Sequence, residues 1–163
     1  AFVGTLHKFM VQTAKEANLL PAFPYISDRI QKYYQSDLPE AATHALLEEG
    51  YDFVYIHVEA PDEMGHQGSV EKKVQAIEYL DSRVIAPLTK ALEENAMQYR
   101  LLVLPDHPTP IRIRTHSADS VPYLLYDSGD LKSGDRNYNE KEARESGNFC
   151  EKGHTLIDKL FEK

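Results

Sequence analysis

One stretch of the chain decides its fold: residues 51–66, with the sequence YDFVYIHVEAPDEMGH. Its first part, Tyr51–Glu59, is rich in Val, Ile, Phe and Tyr and has the length of a strand that is buried on both faces. We therefore predict a central strand here. The residues that follow it are acidic and imidazole side chains, and a polar cluster at the carboxyl end of a strand is typical of a binding site in an α/β protein.

Helical patterns flank this strand. Apolar residues recur at helical spacing from Leu6 to Leu19, and the prolines of residues 21–24 end that pattern. A second helix begins at Asp37, which can cap it, and ends at Gly50. Ser69 can cap a third, long helix. We expect its apolar stripe to pack in the core, and the stripe consists of Val70, Val74, Ile77, Leu80, Val84, Leu88 and Leu92.

Two further apolar runs, Leu101–Leu104 and Val121–Tyr126, predict strands. Strands that alternate with helices imply crossover connections, and hence a mostly parallel sheet flanked by helices. The predicted fold class is therefore α/β. The stretch Asp127–Asn148 is rich in Ser, Gly, Asp, Asn and charged residues, which is typical of a surface loop, and it leads into a last helix.

Length and composition limit the class of protein. With 163 residues, of which 42% are hydrophobic, the chain can form one domain with a core of its own. The net charge of −8 and the absence of a Lys/Arg cluster argue against a nucleic-acid partner. No apolar run predicts a membrane span or a signal peptide, so we expect a cytoplasmic protein without a membrane partner. An acidic protein can still bind anions through divalent cations.

Three polar clusters contain possible metal ligands. Asp62 and His66 are four residues apart, which places them on one face of a helical turn. Asp106 and His107 follow the second predicted strand, and His116 lies in the loop before the third. Carboxylates and neutral imidazoles together suit Zn²⁺ or Mn²⁺. Each cluster alone is also compatible with ordinary turn chemistry, but three of them at strand ends favour a shared site.

Three other polar residues near these clusters are candidates for substrate binding. Arg112 and Arg114 precede His116, and a guanidinium group can bind phosphate with two parallel hydrogen bonds. A solvated arginine pair is the alternative. His57 lies at the end of the first predicted strand, where it either faces the site or bonds within the sheet. We retain Arg114 and His57 as candidate substrate-binding residues.

Three motifs in order resemble one enzyme family. The chain resembles the archaeal-type cofactor-independent phosphoglycerate mutases, which belong to the alkaline phosphatase superfamily. The motifs are His57–His66, Asp106–Pro110, and Thr115–Asp119 with Val121 and Pro122. The resemblance runs from about Tyr51 to Lys163, and residues 1–40 have no match. It implies an alkaline-phosphatase-like fold, of which residues 1–163 form a single, partial domain.

The resemblance also implies a mechanism. In that family two divalent metal ions hold a phosphoryl group and activate a Ser or Thr nucleophile, and 3-phosphoglycerate and 2-phosphoglycerate interconvert through a phosphoenzyme. Carried over motif by motif, Asp62, His66 and His116 hold one metal, and Asp106 and His107 contribute to the second. The metals are Mn²⁺ or Zn²⁺, with Mg²⁺ also compatible, and the substrate is a small phosphorylated molecule.

The chain departs from the family pattern in its N-terminal part. The family's N-terminal metal-binding Asp and its nucleophile have no counterpart in this sequence. We therefore expect a fragment of a longer enzyme that is inactive by itself. Two alternatives stay open: another phosphotransferase or phosphatase of the superfamily, including a homoserine-kinase-like enzyme, and a noncatalytic metal-binding domain that serves in assembly through tyrosines 25, 33 and 34. The sequence predicts no oligomeric state.

Overall fold

The fold is given by a computed structural model, which describes residues 8–13, 38–130, 134 and 136–162. Its strands and helices are short, except for one long helical segment that contains a π-helical turn. The strands are β1 (Lys8–Thr13), β2 (Phe53–His57), β3 (Tyr99–Leu104) and β4 (Leu124–Asp127). The helices are α1 (Leu38–Leu47), α2 (Ala60–Gln67), α3 (Val70–Leu80), a π-helical turn (Asp81–Ile85), α4 (Ala86–Glu94), α5 (Glu140–Glu145), a 3-10 turn (Gly153–Thr155) and α6 (Leu156–Phe161).

The four strands form one sheet in the order β2-β1-β3-β4. Every neighbouring pair is antiparallel, so the prediction of a mostly parallel sheet is wrong. The physical reason is the position of β1. β1 pairs antiparallel with both β2 and β3, so β2 and β3 run in the same direction. Their helical connection requires that common direction, but β1 lies between them, so they are not neighbours. Among the strands that the described residues form, β2 consequently lies at the edge of the sheet and not at its centre, where we predicted it.

β1 also corrects the prediction of a helix from Leu6 to Leu19. Residues 8–13, KFMVQT, pair along their whole length with β3 and almost completely with β2. Backbone pairing on both sides of this segment outweighs the helical spacing of its apolar residues, and Phe, Val and Thr favour a strand. The remainder of that predicted helix, and the prolines that end it, lie outside the described residues.

The long helix is confirmed, but the beginning of its predicted core stripe is wrong. α3 begins after the cap Ser69, whose hydroxyl accepts a hydrogen bond from the Lys72 backbone N–H, and the π-helical turn joins α3 to α4. Val70 is 58% exposed and Val74 is 38% exposed, whereas Lys73 is fully buried. The first turn of α3 therefore turns a polar residue toward the interior.

The other elements largely follow the sequence. α1, β2, β3 and α6 lie in the segments that predicted them. The third predicted strand begins at Leu124 instead of Val121, since Pro122 cannot donate to a ladder. The predicted surface loop contains the short helix α5, which the Asn139 side chain caps through the Glu142 backbone N–H.

Core residues lie on both faces of the sheet. Val54 and Ile56 of β2 pack into the larger core cluster, which also contains buried residues of α1, α3, α4 and β3. Phe53 of the same strand packs on the other face, with Leu156 and Leu160 of α6. The helices therefore cover both faces of the sheet. Within the part of the chain that the structure describes, none of these helices is long and apolar enough to cross a membrane.

The sheet register positions the functional site. Lys8 of β1 pairs with His57 at the end of β2 and with Leu104 at the end of β3. The carboxyl ends of β2 and β3 thus lie at one edge of the sheet, with a single strand between them. Both polar clusters that follow these strands begin at that edge, as the sequence predicted.

An ion pair at the opposite end of β3 yields a prediction about stability. The Arg100 Nε–H donates to Asp127 Oδ2 at 2.6 Å, and this bond is the main cause that holds the pKa of Asp127 below its usual value of 3.8. A lowered folded-state pKa contributes stability above the usual pKa, and that stability is lost as the pH falls through the lowered value. The side chain is 37% exposed, so solvent weakens the pair. We expect Asp127→Asn to reduce the free energy of unfolding by about 0.5–1 kcal/mol at pH 7.

Urea unfolding from pH 7 to pH 3 measures this effect. The difference between the two proteins should be largest above the usual pKa of Asp127 and should shrink as the pH falls below that value, where the unfolded chain is protonated before the folded one. Glu94→Gln, which removes the more exposed pair with Lys90 at 3.7 Å, is the control and should cost less. A difference for Asp127→Asn that stays constant down to pH 3 would contradict the electrostatic explanation.

Candidate metal centre

Helix α2 carries two of the predicted ligands. Pro61 lies in its first turn, where a missing N–H costs nothing, and Gly68 ends it in the left-handed conformation with φ 72°. Asp62 and His66 are four residues apart on this helix and face the same way. The distance from Asp62 Oδ2 to His66 Nε2 is 3.3 Å, so the predicted pairing on one helical face is present in the fold.

The third predicted ligand, His116, comes from the loop after β3. Its Nε2 lies 3.2 Å from His66 Nε2 and 3.7 Å from Asp62 Oδ1. One ligand atom from each of the three residues lies within 4.8 Å of the others, a separation that suits a single metal ion. Two imidazoles and one carboxylate would leave a fourth position of a tetrahedral ion open.

A backbone carbonyl determines the tautomer of neutral His66. His66 Nδ1 lies 3.0 Å from the carbonyl oxygen of Arg114. A carbonyl can only accept, so Nδ1 carries the proton and Nε2 of the neutral ring keeps its lone pair. That lone pair is on the nitrogen that faces Asp62 and His116. A hydrogen bond from the second ring nitrogen to a carbonyl is the usual support of a metal-binding histidine.

Arg114 contacts the proposed ligands through its backbone. Its backbone is left-handed, with φ 53°, which is rare for a residue with a side chain, and its carbonyl is the acceptor for His66. The guanidinium group lies against Gly68, where a Cβ would collide with it. Substrate binding by the Arg114 side chain remains a prediction. In addition, the geometry shows that the Arg114 carbonyl contacts His66 Nδ1.

The residues predicted for a second metal adjoin the first three. The His107 ring stacks on the His116 ring, with 3.6 Å between the centroids and 29° between the planes. Asp106 Oδ1 accepts the backbone N–H of His107 at 3.1 Å and lies 3.5 Å from His107 Nε2. The loop after β3 therefore places His107 against His116, with Asp106 beside His107.

His57 lies at the end of β2, beside its neighbours in the sequence. Its ring stacks over Tyr55 with 6.4 Å between the centroids, and its Nε2 is 3.7 Å from Glu59 Oε1. Both contacts are with residues two positions away in the sequence. A role in substrate binding remains a prediction.

Two residues at the site were missed by the sequence analysis. Thr109 is fully buried, and its hydroxyl donates to Asp62 Oδ1. Lys73 is also fully buried, and its Nζ donates to the Thr109 carbonyl at 2.6 Å. Burial lowers the pKa of Lys73, and the negative charges of Asp62 and Glu140 oppose that shift. The prolines on both sides of Thr109 were a signal of a constrained loop, but Lys73 has no signal, since it lies in a helix rich in charged residues.

The sequence of this chain is similar to those of known proteins. Residues 24–162 match the sequence profile of the Metalloenzyme superfamily. A 2,3-bisphosphoglycerate-independent phosphoglycerate mutase of Methanothrix thermoacetophila is 47% identical over 110 residues, which are 68% of this chain and 28% of that protein. A protein named 2,3-bisphosphoglycerate-independent phosphoglycerate mutase 2, from Methanothermobacter thermautotrophicus, is 44% identical over 114 residues, 70% of this chain and 28% of its own length.

The match extends over most of this chain but over a small part of each relative. The chain spans less than a third of the length of these curated proteins. No solved structure matches it. The matches confirm the resemblance that the three motifs indicated. On the strength of the profile match over residues 24–162, this chain belongs to the Metalloenzyme superfamily.

Proposed function

We propose that this chain is the metal-binding part of a cofactor-independent phosphoglycerate mutase, which interconverts 3-phosphoglycerate and 2-phosphoglycerate through a phosphoenzyme. The observation that carries the proposal is the convergence of Asp62, His66 and His116, with their ligand atoms within 4.8 Å of one another. The names of the relatives supply the reaction, and the chemistry of the site is compatible with it.

The donor set favours particular metals. Two imidazoles and a carboxylate suit Zn²⁺ or Mn²⁺ better than Mg²⁺, which prefers oxygen ligands. In the proposal Asp62, His66 and His116 hold the first ion, while Asp106 and His107 contribute to the second. When bound, such a pair of ions stabilises the charge of a phosphoryl group in transfer. The ions would also offset the net charge of −8, which otherwise repels a phosphorylated substrate.

The chain's own residues prepare the site for these ions. The Arg114 carbonyl keeps the proton of His66 on Nδ1, so that Nε2 is ready to bind without rearrangement. Binding of a cation at Nε2 competes with binding of a proton there. Metal affinity should consequently fall on acidification, together with any activity that depends on the metal.

The chain by itself should not catalyse the reaction. It spans 28% of the length of each relative described above, and it lacks a counterpart of the family's nucleophile. A chimera tests the function more directly. The segment of the Methanothrix thermoacetophila protein that matches this chain is replaced by the segment of this chain, and conversion of 3-phosphoglycerate to 2-phosphoglycerate is measured.

We expect the chimera to be an active mutase that is inhibited by a chelator and restored by Mn²⁺ or Zn²⁺. The same chimera with His66→Ala and His116→Ala is the control and should be inactive. A folded, metal-loaded chimera that leaves 3-phosphoglycerate unchanged would contradict the proposal. Hydrolysis of phosphate monoesters without mutase activity would favour a phosphatase of the same superfamily.

A further inference from the structure

Two polar side chains are buried in a way that the proposed function does not use. In the part of the chain that the structure describes, Lys73 and Thr109 are the buried residues with polar or charged side chains, and neither has exposed surface. A buried ammonium group costs free energy unless it has partners. The two residues contact each other although they are 36 residues apart, and Thr109 contacts Asp62, which is 47 residues away. They form a chain of contacts from the interior to a proposed metal ligand.

The directions of the two hydrogen bonds show how Lys73 and Thr109 restrain Asp62. The Lys73 ammonium group donates to the Thr109 carbonyl at 2.6 Å, which holds the backbone of the loop. The Thr109 hydroxyl donates to Asp62 Oδ1. The other carboxylate oxygen, Oδ2, is the one that lies 3.3 Å from His66 Nε2. Rotation of the carboxylate is thus restricted, with one oxygen held by Thr109 and the other facing the imidazole.

The surrounding backbone leaves little room for adjustment. Thr109 lies between Pro108 and Pro110, which are both buried and have a fixed φ. Helix α2 approaches this loop so closely that a Cβ on Gly65 would lie 2.8 Å from the Thr109 carbonyl oxygen and 2.9 Å from Lys73 Nζ. The contact chain therefore sits in a tightly packed junction of α2, α3 and the loop after β3.

We propose that Lys73 and Thr109 are positioning residues for the metal centre, which hold Asp62 so that it binds the metal through one oxygen only. The inference rests on the proposed metal site at Asp62, His66 and His116. Supporting residues of this kind typically change metal affinity by about 10-fold to 100-fold when they are removed. Loss of the Thr109 hydroxyl also frees Oδ1 to bind the ion, which raises the coordination number.

Thr109→Val and Thr109→Ser form the first test, with Co²⁺ as the probe. Valine keeps the shape of threonine and removes the hydroxyl, while serine keeps the hydroxyl. We expect Thr109→Val to weaken Co²⁺ binding at least about tenfold and to weaken the visible absorption bands, since cobalt with more ligands absorbs less strongly. Thr109→Ser should restore both the affinity and the band intensity.

Lys73→Met and Lys72→Met form the second test. Lys72 is the exposed neighbour on the same helix, so the pair of variants separates the buried contact from the loss of a positive charge. We expect Lys73→Met to weaken Co²⁺ binding about tenfold and Lys72→Met to leave it unchanged. Urea unfolding of each metal-free variant measures its stability separately, and affinities are compared for the folded fraction. If Thr109→Val does not fold, the Lys73→Met result decides.

The outcomes distinguish the inference from the proposed function. If the unmodified chain binds Co²⁺ and Thr109→Val binds it equally well with an unchanged spectrum, the positioning role is refuted while the metal site stands. Failure of Thr109→Ser to restore the spectrum also refutes it. If the unmodified chain binds no Co²⁺, both the metal site and the inference are refuted.

Discussion

Replacing His66 and His116 together by alanine is expected to abolish tight binding of Zn²⁺ or Mn²⁺ to this chain. The two imidazole nitrogens lie 3.2 Å apart and face the Asp62 carboxylate, so the double variant reduces a three-ligand site to one ligand. A single carboxylate does not retain a transition-metal ion against water. Titration calorimetry, with elemental analysis of the dialysed protein, measures the loss.

A second pair of exposed histidines supplies the control. His44 lies at the end of α1 and His154 lies in the 3-10 turn, away from the proposed site in the sequence. The His44→Ala, His154→Ala double variant loses the same number of imidazoles and should bind metal like the unmodified chain. If the His66, His116 variant keeps one tightly bound ion per chain, the ion binds elsewhere and the assignment is wrong.

The second large effect is expected for Gly65→Ala. The added methyl group would lie 2.8 Å from the Thr109 carbonyl oxygen, a backbone atom that cannot turn aside, so α2 or the loop must shift. Overpacking of this kind costs about 1–3 kcal/mol in stability. The shift separates Asp62 and His66 from His116, and metal affinity should therefore fall at least about tenfold, as for other changes in the support of a ligand.

Gly153→Ala is the matched control for this change. A Cβ at Gly153 meets nothing within 4 Å, so the same chemical substitution should leave both metal affinity and stability close to those of the unmodified chain. Unfolding by urea and calorimetric titration with Zn²⁺ measure the two quantities. Metal affinity in Gly65→Ala equal to that in Gly153→Ala would show that the close approach of α2 to the loop does not position the ligands.

Local patterns predicted part of the geometry of the candidate site. Asp62 and His66 were placed on one helical face by their spacing alone, and the structure brings them within 3.3 Å. The ends of β2 and β3 were expected at one edge because a helical connection returns the chain in the same direction, and the register confirms this. A shared site that includes His116 was favoured by the three polar clusters at strand ends, and the assignment of His116 to the same metal as Asp62 and His66 came from the family motif.

The sheet topology and the buried support were not accessible in this way. β1 depends on pairing with two strands that are distant in the sequence, whereas its own apolar spacing fitted a helix. Lys73 occurs in a run of charged helix residues, and nothing local distinguishes it from the exposed Lys72. Its burial follows from the position of the Thr109 carbonyl, 36 residues further along the chain. Contacts between residues that are distant in the sequence decide such features, and the local spacing of apolar residues carries no information about those contacts.

Anomalous X-ray diffraction from crystals of the zinc-loaded chain, recorded at the zinc absorption edge, tests the central claim most directly. We expect an anomalous peak about 2.0–2.2 Å from Nε2 of His66, Nε2 of His116 and one oxygen of Asp62. A zinc peak elsewhere on the chain, or no peak between these three residues in crystals that contain zinc, would contradict it.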